Sequence, residues 1–363
     1  MERFVRSEID FALKLLRQQD PSESFVFSPA SIAFGLALIH SAAKGEARDE
    51  IRKALLNGAT DKEFEKHFSG LTDALLGPKT GTEVNIANHV FCNASLDVRK
   101  PYLVAVKKLY NSEASQIDFS DGKGSANTVN NFVSENTKGH IKEIIKADDI
   151  SPRDVAILIN AIFFKAQWWR HIMFSKYDTR KREFFSSANK KREIYFMHNF
   201  TVRTGYNEDG IFKVLNMQYT DSSFSMSIFL PKTRFGLTKA LRNLDSTTIQ
   251  ELLSNLSQPY INITIPKWKM EKALKLEQAF KDLGINKAFE PGSLPNLAKQ
   301  AFLQKSAHMA TIEVNEQGTV ASAVTPSILG GGPPPKTIDF VADHPFLYMI
   351  TKDLHPLFVG VHN

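Results

Sequence analysis

The amino-acid sequence predicts an α+β fold in which helices pack on an antiparallel or mixed sheet. The front half of the chain places apolar residues mainly at helical spacing, and the back half contains short runs of continuous or alternating apolar residues. A period near 3.6 residues marks a helix with one buried face, whereas a period of two marks a strand. The 363 residues contain no internal repeat and no linker rich in Pro, Gly or Ser before residue 330, although their number alone would allow two or three domains.

Four of the predicted helices lie in the front half. The first follows apolar spacing from Phe4 to Leu16. The second begins at Ser28-Pro29, since a serine can cap free N–H groups and proline fits the first helical turn, and its end is expected at Lys44-Gly45. Residues 61–76 and 129–145 are the next two, and a short fifth helix over 276–283 should end at Gly284.

The strands are predicted from shorter apolar runs. Residues 155–164 form a nearly continuous apolar run, as in a strand that is buried on both faces. Alternation or β-rich composition predicts five more strands, at residues 225–231, 260–266, 308–314, 346–350 and 356–360.

Composition excludes several function classes. The net charge of +6 is too dilute, without a patch, to indicate nucleic acid, and no apolar run reaches the roughly 20 residues that span a membrane. No phosphate-binding glycine loop, dinucleotide motif, metal-ligand spacing or Gly-x-Ser-x-Gly elbow occurs, so we expect no cofactor, no metal and no enzyme activity. The basic triplets 180–182 and 190–192 predict a solvated face, with a polyanion or protease exosite as the alternative.

The compartment is predicted from the cysteine count and from the first residues. Cys92 is the only cysteine, is expected to be a buried small hydrophobe, and excludes an internal disulfide. The charged start of the chain lacks the apolar core of a signal peptide, which predicts a cytoplasmic protein. Four glycosylation sequons favour the extracellular alternative, at Asn93, Asn199, Asn255 and Asn262.

A polar turn followed by small residues is the most informative segment. Residues 315–318 read Asn-Glu-Gln-Gly, and small residues dominate from Thr319 to Thr325. A Gly- and Pro-rich stretch, 326–335, then follows, which predicts an exposed loop. Small side chains fit a strand that must be buried, so we interpret the segment as a loop that can become a strand.

Several motifs along the chain make it resemble the serpin family. Residues 27–32 read Phe-Ser-Pro-Ala-Ser-Ile, and residues 160–168 read Asn-Ala-Ile-Phe-Phe-Lys-Ala-Gln-Trp. Each motif is weak alone, but their order and spacing together are specific to the family. The others are Ile-Phe-Leu-Pro at 228–231, Ile-Pro-Lys-Trp-Lys at 265–269, Leu-Gly-Ile at 283–285, His308, Glu-x-Gly-Thr at 316–319, Asp-His-Pro-Phe at 343–346 and Pro-Leu-Phe-x-Gly at 356–360.

The resemblance implies a single domain over residues 1–363, with a serpin-like fold of three β-sheets and about nine helices and an exposed reactive-centre loop at residues 316–340. It implies a metastable serine protease inhibitor, a suicide substrate whose cut loop traps the acyl-enzyme and undergoes a conformational change by inserting into the main sheet. The implied protein is a monomer, capable of loop–sheet polymers, with a serine protease as its covalent partner. The alternative is a non-inhibitory serpin that acts as a carrier, chaperone or storage protein.

The resemblance also implies which residues carry this mechanism. The shutter cluster is Ser28, Ser31, Asn160 and His308, and the breach tryptophan is Trp168. Residues of these types could suggest a hydrolase triad, but Ser28 is better explained as a helix cap and His308 as a hydrogen-bonded core histidine. The hinge residues of the reactive loop are Glu316, Gly318, Thr319, Ala321, Ala323 and Thr325.

The scissile bond has two candidate positions. The family register places it between Gly332 and Pro333, although proline after the bond hinders most serine proteases. Leu329-Gly330, or a bond among Gly330, Gly331 and Gly332, is the alternative. The loop contains no arginine, so we expect an elastase-like or chymotrypsin-like target.

Overall fold

The computed structural model describes residues 2–77, 80–319 and 336–363. Within these ranges the chain forms nine α-helices and sixteen β-strands. The helices are α1 (Glu2–Leu16), α2 (Pro29–Ala42), α3 (Gly45–Leu55), α4 (Asp61–Leu76), α5 (Lys100–Tyr110), α6 (Gly122–Asn136), α7 (Leu237–Asn243), α8 (Ser246–Ser254) and α9 (Glu277–Asp282).

The strands alternate with the helices along the chain. They are β1 (Phe25–Phe27), β2 (Thr82–Asn93), β3 (Glu113–Ile117), β4 (Ala156–Gln167), β5 (Arg180–Ser187), β6 (Lys190–Arg203), β7 (Gly205–Glu208), β8 (Phe212–Gln218), β9 (Phe224–Pro231), β10 (Tyr260–Pro266), β11 (Trp268–Lys275), β12 (Lys305–Val314), β13 (Gly318–Thr319), β14 (Thr337–Val341), β15 (Phe346–Lys352) and β16 (His355–His362). Among the described residues, the longest runs of strands without an intervening α-helix are β4–β9 and β12–β16.

The strands form three sheets, which confirms the predicted α+β class. The central sheet has the order β11-β12-β4-β2-β3, with β13 paired to β4. The second sheet runs β1-β16-β15-β9-β8-β7, and the third runs β14-β10-β6-β5. Helix α2 packs between the central and second sheets, because it contacts β2 and β4 on one side and β16 on the other. All but one of its residues are buried, which explains why its sequence shows no polar stripe.

Most of the predicted elements are confirmed, but two helices have wrong boundaries. Residues 61–76 and 260–266 match α4 and β10 at both ends. The helix predicted at 129–145 instead spans Gly122–Asn136, because the Asp121 carboxylate caps the Gly124 N–H at 2.9 Å. Beyond that helix the Asn130 side chain accepts from the Ile144 N–H at 2.9 Å and holds this stretch as coil.

The second helix with a wrong boundary is α2, at its end. This helix ends at Ala42, and Gly45, at φ +55°, begins α3 instead of closing α2. The predicted end at Gly284 is confirmed by its φ of +85° after α9. Cys92 is buried as predicted, and burial raises the pKa of its thiol to about 12, so the thiol is not activated. No helix in the described ranges is long and apolar enough to cross a membrane.

Candidate functional site

The central sheet contains two parallel neighbours that are joined over only part of their length. Strand β12 pairs with β4 from Lys305 opposite Ile157 to Thr311 opposite Phe163. Strand β4 continues to Gln167, and its other edge is occupied by β2 up to Ala166. Within the described residues, β12 therefore leaves the upper part of β4, residues 164–167, with an open edge on its own side.

Strand β13 occupies the start of that edge. Gly318 lies opposite Gln167 and Thr319 opposite Ala166, in antiparallel orientation. Since β2 already covers the other edge at Ala166, β13 must lie on the β12 side. A chain that continued from Thr319 in the same direction would run between β4 and β12.

Gly318 is required at this junction by both backbone angle and space. Its φ of +128° lies in a region that side chains rarely allow. A Cβ at this position would lie 2.2 Å from the Ala166 carbonyl oxygen and 2.6 Å from the Trp168 nitrogen. Both neighbours are backbone atoms, so they cannot yield as a flexible side chain would. Any larger residue must push β13 away from β4.

Trp168 fixes the turn that precedes β13. Its indole N–H donates to the Asn315 carbonyl at 3.0 Å, and its backbone N–H donates to the Gln317 carbonyl at 3.0 Å. The ring is 1% exposed and stacks on Tyr219 at 4.6 Å between centroids. The predicted breach tryptophan thus contacts the base of the hinge directly.

Glu316 is tied to the third sheet and its neighbours by an ion pair. Its carboxylate accepts from the Lys267 ammonium at 3.0 Å and from the Thr179 hydroxyl at 2.9 Å. Burial alone would raise the pKa of Glu316, but its own backbone N–H, Lys267 and Thr179 outweigh this effect and lower it. The hinge therefore begins at an ionised, buried anchor.

The shutter cluster forms one buried hydrogen-bonded network below the open edge. The Ser31 N–H donates to the Ser28 hydroxyl oxygen at 3.0 Å, and the Ser31 hydroxyl donates to Asn160 Oδ1 at 3.1 Å. The Ser28 backbone N–H donates to His308 Nε2 at 3.0 Å. All four residues have zero exposure. The cluster thereby connects α2 to both β4 and β12.

The contacts fix the tautomer of His308. Nε2 accepts from the Ser28 N–H, so the neutral ring carries its proton on Nδ1, which donates to Asn160 Oδ1 at 2.6 Å. Burial lowers the pKa of His308 to about 3, so the ring is neutral near pH 7. Since His308 and Asn160 lie directly opposite each other in β12 and β4, this bond crosses the seam between these strands.

Asn88 is a further contact that sequence reasoning missed. The Asn160 amide donates to the Asn88 Oδ1 and to the Ser31 carbonyl. Asn88 lies on β2 directly opposite Asn160 and is 7% exposed. A polar residue inside the mostly apolar 86–92 stretch was the available signal. Lys267 and Thr179 were also missed, although Lys267 belongs to one of the motifs noted above.

The geometry does not assemble a hydrolase. His308 contacts the backbone N–H of Ser28 and not its hydroxyl, which accepts from Ser31 as a helix cap. A histidine that accepts a backbone hydrogen bond in this way cannot activate the Ser28 hydroxyl as a base. Among the described residues, the shutter cluster is therefore a structural network.

The rest of the predicted hinge and the scissile region lie outside the described residues. These are Ala321, Ala323, Thr325, Leu329, Gly330, Gly331, Gly332 and Pro333. The basic triplets 180–182 and 190–192 are exposed on the β5–β6 pair of the third sheet, as a solvated face requires.

Comparison with known proteins supports this reading of the fold. A family model described as Serpin (serine protease inhibitor) matches residues 6–363. Iripin-2 of Ixodes ricinus is 29% identical over 99% of this chain and 93% of its own length. Serpin48, described as a highly specific serpin of Tenebrio molitor, superposes with a TM-score of 0.88 at 25% identity, covering 99% of this chain and 97% of its own. Human thyroxine-binding globulin, solved as a complex with its hormone, has the same TM-score, identity and coverage.

Proposed function

The chain belongs to the serpin family, and we propose that it inhibits a serine protease as a suicide substrate. The protease serine attacks a carbonyl in the loop after Glu316, and the peptide bond breaks. The new amine is the leaving group and becomes the first group of the C-terminal part of the chain. The N-terminal part stays attached to the protease as an acyl ester. Insertion of that part between β4 and β12 then carries the protease away before water can hydrolyse the ester.

The observation that carries this proposal is the position of β13. Its two residues already pair with β4 at the open edge, in the direction that an inserted strand requires. Gly318 allows the close backbone approach at this entry, and Trp168 with Lys267 holds the preceding turn. The sequence then continues with small residues, which suit burial between two strands.

The energetics favour insertion once the loop is cut. About fifteen inserted residues would span roughly 50 Å at about 3.3 Å each, enough to carry a tethered protease across the molecule. A dozen or more new ladder hydrogen bonds, at about 1 kcal/mol net each, would release on the order of 10 kcal/mol. This is comparable to the stability of a whole domain. The uncut protein is then a kinetic trap. We propose that residues 1–363 form one domain and that residues 316–340 are its reactive loop, whose last residues, 337–340, enter strand β14.

The seam between β4 and β12 must separate for insertion. The bond between His308 and Asn160 crosses this seam, and both residues also bind α2. We assign the shutter cluster the role of a lock, because the bond between His308 and Asn160 is buried and would be lost when the seam opens. In this proposal the shutter cluster sets the activation barrier to insertion. The small hinge residues allow the loop to form the new strand, whose ladder hydrogen bonds supply the driving force.

The preferred target is an elastase-like or chymotrypsin-like serine protease. The specificity pocket of such a protease accepts the leucine side chain of Leu329. Gly330 follows directly and has no side chain that could clash with the protease after the scissile bond. Cleavage here would leave a tether three residues shorter than a cut before Pro333. Inhibition through Leu329 would accordingly be less complete than in the family register.

A mixture of the intact chain with such a protease tests the proposal on a denaturing gel. A covalent complex gives an SDS-resistant band at the summed mass, and the active-site serine-to-alanine protease, as the control, gives none. Complete loop cleavage without that band would contradict the inhibitory proposal. That result would support the second candidate, a non-inhibitory carrier, chaperone or storage serpin. This candidate is favoured by residues 330–335, which are only glycine and proline and offer no side chain for a protease pocket.

A further inference from the structure

A second cluster of ionisable side chains lies on elements other than those that carry the hinge. Glu8 on α1, His67 on α4 and His355 at the start of β16 meet at one point. His67 Nε2 and His355 Nδ1 each lie 2.5 Å from a different oxygen of the Glu8 carboxylate. Glu8 and His355 are 7% and 5% exposed, and the two imidazole centroids are 5.6 Å apart. Residues separated by up to 347 positions along the chain thus converge on one carboxylate.

We propose that Glu8, His67 and His355 form a binding site for a divalent transition-metal ion of the zinc class. Two imidazoles and one carboxylate are the donor set that zinc accepts in open three-ligand sites. The facing donor atoms of the three residues all lie within 4.8 Å of one another. A tetrahedral ion at about 2.0–2.1 Å from each donor requires donor atoms roughly 3.4 Å apart. Rotations of the three side chains that change each spacing by no more than about 1.5 Å would satisfy this geometry.

The surroundings provide a route for the ion and a place for a fourth ligand. A surface pocket of about 580 Å³ is lined by both His67 and His355. Its wall also includes two carboxylates, Glu63 and Asp353, and two amines, Lys66 and Lys352. These four charges cancel, so the attraction for a cation rests on the buried Glu8 carboxylate. Water in the pocket can complete the tetrahedron.

Binding requires a change of tautomer but no redox step. In the metal-free protein each imidazole donates an N–H to Glu8, at Nε2 of His67 and at Nδ1 of His355. Coordination needs a lone pair on those same nitrogens, so each proton moves to the opposite ring nitrogen. The bound ion replaces both hydrogen bonds and fastens α1 to α4 and to β16. Since these elements come from both ends of the chain, the ion stabilises the folded protein.

Metal titration of the full chain tests this site without reference to protease inhibition. The protein is freed of metal with a chelator and titrated calorimetrically with zinc chloride, and its melting temperature is measured with and without zinc. We expect one zinc ion per chain and a higher melting temperature that the chelator reverses. Magnesium should bind far more weakly, because it prefers an octahedral shell of oxygen ligands. Equal binding of magnesium and zinc would overturn the proposal.

Conservative variants identify the ligands. Glu8→Gln, His67→Gln and His355→Gln should each weaken zinc binding at least about tenfold. His171→Gln, which changes an exposed histidine elsewhere, serves as the matched control and should bind zinc like the parent. Unaltered zinc affinity in both His67→Gln and His355→Gln would assign the cluster to hydrogen bonding alone. A loss of affinity in His171→Gln as large as in those variants would also contradict the assignment.

Cobalt(II) gives a readout that requires no variant. The unmodified chain with one equivalent of cobalt(II) should show the intense visible absorption of a tetrahedral ion, and zinc should remove it by competition. A weak octahedral spectrum, or a band that zinc does not displace, would refute the proposed site. This measurement decides the question even if a substitution at Glu8 prevents folding.

Discussion

Replacing His308 with leucine should destabilise the protein through one identifiable contact. The substitution places an apolar side chain of similar size in a site of zero exposure, so the main loss is that of hydrogen bonds. Asn160 Oδ1 keeps its hydrogen bond from Ser31, whereas the Ser28 N–H loses its partner, His308 Nε2. One buried, unsatisfied N–H costs about 1–3 kcal/mol. We expect that decrease in the free energy of unfolding, together with faster polymerisation on mild heating.

His362 supplies a matched control. It is also buried in a strand, burial lowers its pKa to about 3, and neither of its ring nitrogens has a hydrogen-bond partner among the described residues. His362→Leu removes no hydrogen bond and should leave the stability unchanged or raise it. Urea unfolding at pH 7.5, where neither histidine is protonated in the native state, measures both variants. A loss in His308→Leu no larger than that in His362→Leu would refute the lock.

Measuring the free energy of unfolding at acidic pH separates the effect of the lost hydrogen bond from the effect of histidine protonation. An unfolded histidine binds a proton below about pH 6.5, whereas native His308 stays neutral to about pH 3. The native state is therefore weakened as the pH falls from about 6.5 to about 3, by up to about 1.4 kcal/mol per pH unit for each such residue. Both leucine variants should reduce this acid sensitivity by a similar amount, although their stabilities at pH 7.5 differ.

Three further predictions concern the reactive loop. Gly318→Ala should place a Cβ 2.2 Å from the Ala166 carbonyl oxygen, which should lower the free energy of unfolding by about 1–3 kcal/mol and increase the fraction of chain that the protease cleaves without being trapped. Gly210→Ala, with open space around it, is the control and should do neither. Equal urea midpoints for the two variants would contradict this prediction. Under the proposed mechanism, Thr319→Arg should bury a charge, stall insertion and leave the chain a substrate of the protease; undiminished SDS-resistant complex would show that the hinge register is wrong. Leu329→Ala should slow cleavage by chymotrypsin-like proteases at least about tenfold, and mass spectrometry should find a released peptide that begins at Gly330 in the parent; a peptide that begins at residue 337 would refute it.

Sequence periodicity predicted the type of most elements, because long apolar patterns leave little choice. The nearly continuous apolar run at 155–164 predicted a strand buried on both faces, and it lies in β4. The predicted boundaries were wrong where a single side chain determines the end of an element. The Asp121 cap moved the start of α6, and the Asn130 bonds to backbone groups ended helical structure before residue 145.

The candidate site was predictable only in part, since its partners meet through the tertiary fold. Ser28, Ser31, Asn160 and His308 came from the family resemblance, and no local pattern could have shown that they share one network. Asn88 joins that network only because β2 aligns it opposite Asn160.

The cluster of Glu8, His67 and His355 escaped motif reasoning for the same reason. Its members lie on three elements from the two ends and the front half of the chain, with no metal-ligand spacing between them. Only the packing of α1, α4 and β16 brings them together.

The most direct test of the loop-insertion mechanism compares the melting temperature before and after the loop is nicked between residues 327 and 335. If the cut loop inserts beside β4, a gain of about 10 kcal/mol should raise the melting temperature by roughly 10–15 °C for a chain of this length. A nicked protein that melts at the same temperature as the intact one would contradict insertion and, with it, the proposed inhibitory mechanism.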